Sequence, residues 1–266
     1  MIPIRIGLIG KGNLGLFLLR KLNQDKILSN CKIVSIFDGR EKARDELSIL
    51  AEKYGCDSFQ DIQSFLESDI DIVVECATIE TATLYASEII KKKNLMLISI
   101  GALADSPFAD TLKENAKKYG KRVYLPSGAI GGLDALKAAR LAGGLESVTL
   151  TTRKPANSLS DAIITKEEIL FEGTAQEAIK LFPKNANVAI VLSLAGQGVD
   201  KTAVRIIADP AVIQNTHQIE VVGAFGEFVM TIKNNPSPDN PKTSHITGSS
   251  ILAALANLES EIVIGT

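Results

Sequence analysis

Over the first half of the chain, short runs of consecutive apolar residues alternate with segments of helical periodicity. The run at 6–9 is followed by Leu14, Phe17, Leu18 and Leu22 at helical spacing. Further runs lie at 33–37, 71–76 and 95–100, with a shorter one at 123–125. Continuous apolar runs suit strands buried on both faces, and the strand–helix rhythm predicts a parallel sheet with right-handed crossovers. Near Leu125-Pro126-Ser127-Gly128 the pattern changes. A helix over 133–140 leads to Gly143-Gly144, after which strict alternation appears at Val148, Leu150 and Thr152, and later at Val204, Ile206 and Ala208. Half-buried strands read this way. Thr174-Ala175-Gln176-Glu177 is a capping-box signature opening a helix that Pro183 closes. The runs 219–222 and 228–232 flank Gly223-Ala224-Phe225-Gly226 as a hairpin would. A polar loop with Pro236, Pro238 and Pro241 precedes a last helix around Ile251, Leu252, Leu255 and Leu258.

These patterns predict an α/β protein of two domains. Residues 1–127 form a doubly wound parallel sheet of Rossmann type. Residues 128–240 form an α/β domain on a mixed, largely antiparallel sheet, and 241–266 carry a helix expected to return to the first domain. A large bare apolar face on the second sheet would need cover, so a homodimer burying it is the expectation.

Composition narrows the function. Hydrophobic residues make up 45% and charged ones 23%, with a net charge of −2 and acids and bases interspersed, which excludes a basic stripe for nucleic acid or a polybasic membrane patch. The dense basic run Lys91-Lys92-Lys93 ends a helix, where solvated cations complement the dipole. Cys31, Cys56 and Cys76 are odd in number and widely spaced, the pattern of neither a disulfide framework nor a zinc site. No apolar stretch reaches the roughly 18 residues of a membrane span, and no signal peptide is seen, so a cytoplasmic location is expected.

Residues 9–15 read Ile-Gly-Lys-Gly-Asn-Leu-Gly, a Gly-x-Gly-x-x-Gly turn between the first strand and its helix. Gly10 permits the tight turn, Gly12 lets backbone approach a pyrophosphate, and Gly15 lets helix pack on strand. Asn13 and Leu14 complete the turn at a helix N-terminus that favours phosphate. Asp38 follows the second strand at the position that accepts hydrogen bonds from the adenosine ribose, which favours NAD. Arg40 is either a solvated loop residue or a partner for a 2′-phosphate, so NADP stays open. Ala77, just past the 71–76 run, is a further coenzyme-contact candidate.

The chain has two histidines, His217 and His245, as candidates for acid–base work near neutral pH. Glycines 128, 131 and 132 allow close approach to a ligand or a sharp helix entry. Asn185 and Asn187 are amide donors or a helix cap, and Lys242, Thr243 and Ser244 are anion ligands or a cap for the final helix. Lys184 is a weaker anion-binding candidate.

Together the segments Gly-Ala-Ile-Gly-Gly-Leu-Asp-Ala-Leu (128–136), Phe-Pro-Lys-Asn-Ala-Asn-Val-Ala (182–189), Ala-Asp-Pro (208–210) and Asn-Pro-Lys-Thr-Ser (240–244) resemble the L-aspartate dehydrogenase family, in its order and over nearly the whole chain. The resemblance implies oxidation of L-aspartate to iminoaspartate with NAD or NADP, the imine hydrolysing to oxaloacetate and ammonia or feeding NAD biosynthesis. It also implies that His217, after Ala-Asp-Pro and before a strand, is catalytic, and that Ala129 and Asn187 are coenzyme contacts. The alternatives are another two-domain enzyme, similar to homoserine dehydrogenase or dihydrodipicolinate reductase, and a non-catalytic dinucleotide sensor. No metal ligand set is expected.

Overall fold

A computed structural model describes residues 3–159, 164–182, 187–238 and 240–264. The chain divides into two compact units, Met1–Pro126 with Ile251–Ser260, and Ser127–Ser250 with Glu261–Thr266.

In the first unit the chain runs β1 (Ile4–Ile9), α1 (Asn13–Leu19, continued by a π-helical turn Arg20–Gln24), β2 (Cys31–Phe37), α2 (Arg44–Tyr54), β3 (Asp57–Phe59), α3 (Ile62–Glu67), β4 (Ile72–Glu75), α4 (Ile79–Lys92), β5 (Asn94–Leu97), α5 (Ser106–Lys118) and β6 (Val123–Tyr124). The six strands form one sheet in the order β3-β2-β1-β4-β5-β6, and every pairing is parallel. The strand order reverses between β1 and β4, which opens a crevice at the strands' C-terminal ends. Ile6, Leu8, Ile33, Ile72 and Val74 from the central strands pack with Leu18, Leu19 and Leu47 from the helices, and with Ile251, Leu252 and Leu255 from near the end of the chain. Side-chain caps fix the helix starts: Asp61, Thr78 and Asp105 accept the N–H of Ser64, Thr81 and Phe108.

Three local features differ from the sequence reading. The edge strand β3 was not anticipated, because three residues with Asp57 and Ser58 exposed carry no apolar alternation. The 95–100 run stops being strand at Leu97, because Ser99 turns its N–H and hydroxyl onto Glu75 and a 3-10 turn follows over Ile100–Ala104. Lys93 is not a solvated cation, since its ammonium donates to the carbonyls of Ser68 and Ile70 at 3.3 and 2.7 Å.

The second unit contains α6 (Leu133–Ala142), β7 (Leu145–Pro155), α7 (Ala156–Leu159), β8 (Glu168–Thr174), α8 (Ala175–Leu181), α9 (Asn187–Ala195), β9 (Ala203–Asp209), β10 (Asn215–Gly223), β11 (Gly226–Asn234), β12 (Pro236–Ser237), β13 (Asn240–Ser244) and the start of α10 (Ile246–Ala256). Its five-stranded sheet has the order β11-β10-β7-β9-β8. All pairings are antiparallel except β7 with β9, the mixed architecture that the alternation predicts. The hairpin turn falls at Ala224-Phe225 between the paired Gly223 and Gly226. The capping box is present, with Thr174 and Glu177 each accepting the other's backbone N–H; Pro183 lies outside the described residues.

Val148, Leu150, Val204, Ile206, Ile219 and Val221 are buried on one face, while α8 packs on β8 and β9, and α9 on both α6 and α8. The opposite face carries Thr149, Thr151, Thr216, Gln218, Glu220 and Arg205, all half-buried. It is therefore mixed: exposed Val222, Val229 and Ile169 stand among threonine and charge, so the apolar surface expected of this face is interrupted instead of continuous. The proline-rich segment is likewise more ordered than a loop: β12 and β13 form a small antiparallel pair, with Pro236 opening its strand where its missing N–H is tolerated.

Candidate active site

The crevice beside β1 and β4 is a cavity of about 640 Å³ whose lining includes Gly10, Gly12, Asp38, Arg40, Ala77 and Tyr85. The glycine turn closes it for reasons visible atom by atom. Gly10 has φ +109°, and a Cβ there would meet the Cys76 carbonyl at 2.8 Å. A Cβ on Gly15 would lie 2.0 Å from the Gly10 carbonyl oxygen, so this glycine protects the turn itself more than the helix–strand contact expected for it. A Cβ on Gly12 would meet nothing within 4 Å, so the backbone here faces open space. Gly12 also caps α1 without a side-chain bond, so Asn13 and Leu14 begin the helix with backbone N–H groups uncapped by any side chain. An open glycine turn, an uncapped helix start and a cavity with an acid at its mouth fit a dinucleotide with its diphosphate on the turn.

The charges at the mouth are prearranged. Arg40 grips Asp38 in a fork, Nε to Oδ1 at 2.9 Å and Nη2 to Oδ2 at 2.6 Å, and its backbone N–H donates to the same carboxylate. The Arg40 guanidinium holds the Asp38 carboxyl below the usual carboxylate range. Lys11, unremarked in the sequence, pairs with Glu46 and stands 3.9 Å from Asp38. Behind the cavity, Glu75 is only 1% exposed and accepts from Ala77 N–H at 2.8 Å, Ser99 N–H at 3.1 Å and Ser99 hydroxyl at 2.9 Å. Burial pushes its carboxyl up despite those bonds. Glu75 thereby fixes the backbone at Ala77. Its signal in the sequence was an acid ending an otherwise apolar strand.

In the second unit, a polar group occupies one end of the buried sheet face. Along β10 and β7 the facing pairs are Val221 with Val148 and Ile219 with Leu150, both apolar, and then His217 with Thr152. One step further along the inward face come Asn215 and Lys154, and Asn215 faces Asn234 on β11. Thr152, Lys154, Asn215, His217, Asn234 and Ser244 are all buried. Thr152 Oγ1 and His217 Nδ1 are 3.0 Å apart, Asn215 Nδ2 donates to Ser244 Oγ at 3.5 Å, and Asn234 Nδ2 donates to the Ala129 carbonyl at 2.9 Å. Thus His217, Ser244 and Ala129 are gathered around two asparagines that the sequence reading did not single out.

His217 lies within β10, not before a strand, and it is 2% exposed. Burial and then the nearby Lys154 charge push its imidazole down to about 3, so it is neutral at physiological pH. Lys154 is pushed down to about 8 by burial. It continues the Val148-Leu150-Thr152 alternation, and a lysine at an inward strand position was the signal available for it. Asp209 of Ala-Asp-Pro accepts the Ala211 N–H and the Arg153 guanidinium, closing β9. His245 is exposed and donates its backbone N–H to Asn235. Asn187 opens α9 half-buried, and Lys242 and Thr243 lie on β13 instead of capping a helix. Lys184 and Asn185 fall outside the described residues. Among the described residues no group of acids, histidines and cysteines could hold a metal, and no helix is long and apolar enough to cross a membrane.

Known proteins match both units. The family described as "Homoserine dehydrogenase, NAD binding domain" matches residues 10–126, and "Aspartate dehydrogenase, C-terminal" matches residues 134–258. An L-aspartate dehydrogenase of Methanosarcina mazei is 38% identical over 99% of this chain and 100% of its own, and one of Methanospirillum hungatei is 39% identical with the same coverage. The crystal structure of aspartate dehydrogenase from Thermotoga maritima superposes with a TM-score of 0.80 at 33% identity, covering 98% of this chain and 99% of that one. Because likeness of this degree runs end to end, through the glycine turn and the polar end of the second sheet alike, the chain belongs to the L-aspartate dehydrogenase family.

Proposed function

We propose that the protein oxidises L-aspartate to iminoaspartate with NAD or NADP, the imine then taking up water to give oxaloacetate and ammonia. The observation that supports this most is a buried, neutral imidazole at the polar end of a sheet whose remaining inner face is apolar. The bound nicotinamide supplies the hydride acceptor for the aspartate α-carbon. His217 takes the proton that the amine must lose as the C=N bond forms, a role typically worth about 10²–10⁴ in rate. With Nδ1 directed at Thr152, Nε2 is the nitrogen that serves as base. Ser244, which accepts from Asn215, keeps its own hydroxyl proton to donate to a carboxylate, and Thr243 and Lys242 on the same strand act with it. In the first unit the coenzyme contacts are Gly10, Gly12, Asn13, Leu14, Gly15, Asp38, Arg40 and Ala77; in the second, Ala129 and Asn187 take this role by their match to the family.

Asp38 accepts the ribose hydroxyls of NAD. Arg40, already forked onto that carboxylate, turns to a 2′-phosphate when NADP binds, so NAD is favoured and NADP tolerated. The enzyme works in the cytoplasm as a homodimer, and its imine is available to NAD biosynthesis. Contact between dimer partners across the mixed sheet face would join exposed Val222, Val229 and Ile169 with hydrogen bonds from its threonines and charged groups. The test is NAD(P)H formation with aspartate, with homoserine and without substrate at alkaline pH. Reduction with aspartate alone is expected, and binding of NAD without reduction by aspartate overturns the proposal.

A further inference from the structure

We propose that Lys154 is a substrate-binding residue whose ammonium takes one carboxylate of the dicarboxylate substrate at the polar end of the second sheet. This rests on the aspartate reading above. On the inner sheet face the Val221·Val148 and Ile219·Leu150 rows are apolar, while the next positions, His217·Thr152 and then Asn215 beside Lys154, are polar. A sheet face built only to hold helices has no need of that change. Of the six buried polar residues gathered there, Lys154 alone carries full charge near neutrality; the others are hydroxyls, amides and the neutral imidazole. Lys154 is enclosed, being 7% exposed. Its neighbour on β9 is the small residue Ala208.

Arg153 turns to Glu167 and Asp209 and leaves this group without a second cation from β7. Whatever hydrogen bonds Lys154 makes in the fold, its unit charge sits close enough to His217 to lower that imidazole. The base and the cation are thus diagonal neighbours on the inner face of paired strands β10 and β7. A substrate with an amine for His217 and two carboxylates matches this pair in charge, and the donors on β13 take the second carboxylate.

The test uses full-length enzyme, Lys154→Met and Lys154→Arg. Losing a charge-assisted bond raises the aspartate KM of Lys154→Met by about ten- to a hundredfold. The coenzyme KM stays within about twofold, and Lys154→Arg restores part of the aspartate affinity. Succinate, a dicarboxylate with no amine to oxidise, loses affinity in parallel when titrated calorimetrically. An unchanged aspartate KM and unchanged succinate binding in a folded Lys154→Met overturn the assignment. If wild-type enzyme binds succinate but oxidises no aspartate, the functional proposal fails while the succinate comparison still decides Lys154. Should Lys154→Met fail to fold, Lys154→Arg and Lys154→Gln carry the same comparison.

Discussion

Replacing Lys154 by methionine should make the protein more stable at pH 7. Burial lowers the lysine from 10.5 to about 8, a difference of about 2.5 units, and each unit corresponds to about 1.36 kcal/mol. The sign follows from linkage. Above the unfolded value of 10.5 the amine is neutral in both states and costs nothing. As pH falls toward 8 the unfolded chain binds a proton that the folded chain resists, so stability is lost across that window. Below about 8 both states are charged and the loss stays at its full value of about 3 kcal/mol. Methionine keeps the volume of the stem without the charge. Allowing about 1 kcal/mol for hydrogen bonds removed with the ammonium, the expected net gain at pH 7 is about 2 kcal/mol, or roughly 5–8 °C in Tm. Urea unfolding of wild type and Lys154→Met at pH 7 and pH 10.5 reads this directly. The variants should differ at pH 7 and converge toward pH 10.5. A Lys154→Met that is no more stable at pH 7, or a difference that does not change over this range, would refute the burial argument.

Further predictions concern the other charged groups. His217→Ala should lower turnover at least about a hundredfold with near-normal coenzyme affinity, measured by steady-state kinetics and NAD titration. Because His217 is held at about 3, folded protein refuses a proton that the unfolded chain accepts below 6.5. Wild type should therefore lose about 1.4 kcal/mol per unit between pH 6.5 and 3 relative to His217→Gln, whereas the two should keep a constant difference above 6.5, as read by urea midpoints. Asp38→Ala frees Arg40 and should lower kcat/KM for NAD while raising it for NADP, inverting the coenzyme ratio. Glu75→Ala orphans the N–H groups of Ala77 and Ser99 and should cost about 2–4 kcal/mol, with Glu75→Gln costing less, both measured by thermal unfolding.

The first unit was legible because its signals are local. Gly10, Gly12 and Gly15 belong to one turn, and the buried parallel strands are continuous apolar words in the sequence. What escaped was set by distant pairing. Asn215 and Asn234 look like ordinary strand-end residues until β10 and β11 place them opposite each other. Lys154 was hidden for a related reason: alternation shows that it faces inward, but only the register with β10 reveals that the inward neighbourhood there is polar. His217 was found through motif order, and its supposed position before a strand failed because β10 extends two residues upstream through polar positions that carry no apolar signal. The outer face of the second sheet is mixed, not continuously apolar, because its threonines and charges alternate with the inner residues that dominate the hydrophobic pattern.

An imidazole held near 3 is neutral, but it is also a poor proton acceptor, since a base works best when its pKa lies close to the operating pH. Two causes hold it there, and they respond differently to a ligand. Burial is part of the fold. The Lys154 charge can be answered by an anion, and a carboxylate laid against that ammonium removes the repulsion that disfavours imidazolium. A second carboxylate near β13 adds attraction of its own. The dianionic substrate would then strengthen the base that acts on it, whereas an amino acid with one carboxylate would give less of that help. On this argument the buried lysine discriminates twice, in affinity and in the basicity of His217. Its cost of about 3 kcal/mol in stability is borne by the apolar rows beside it, Ile219 with Leu150 and Val221 with Val148, which hold the same face without charge.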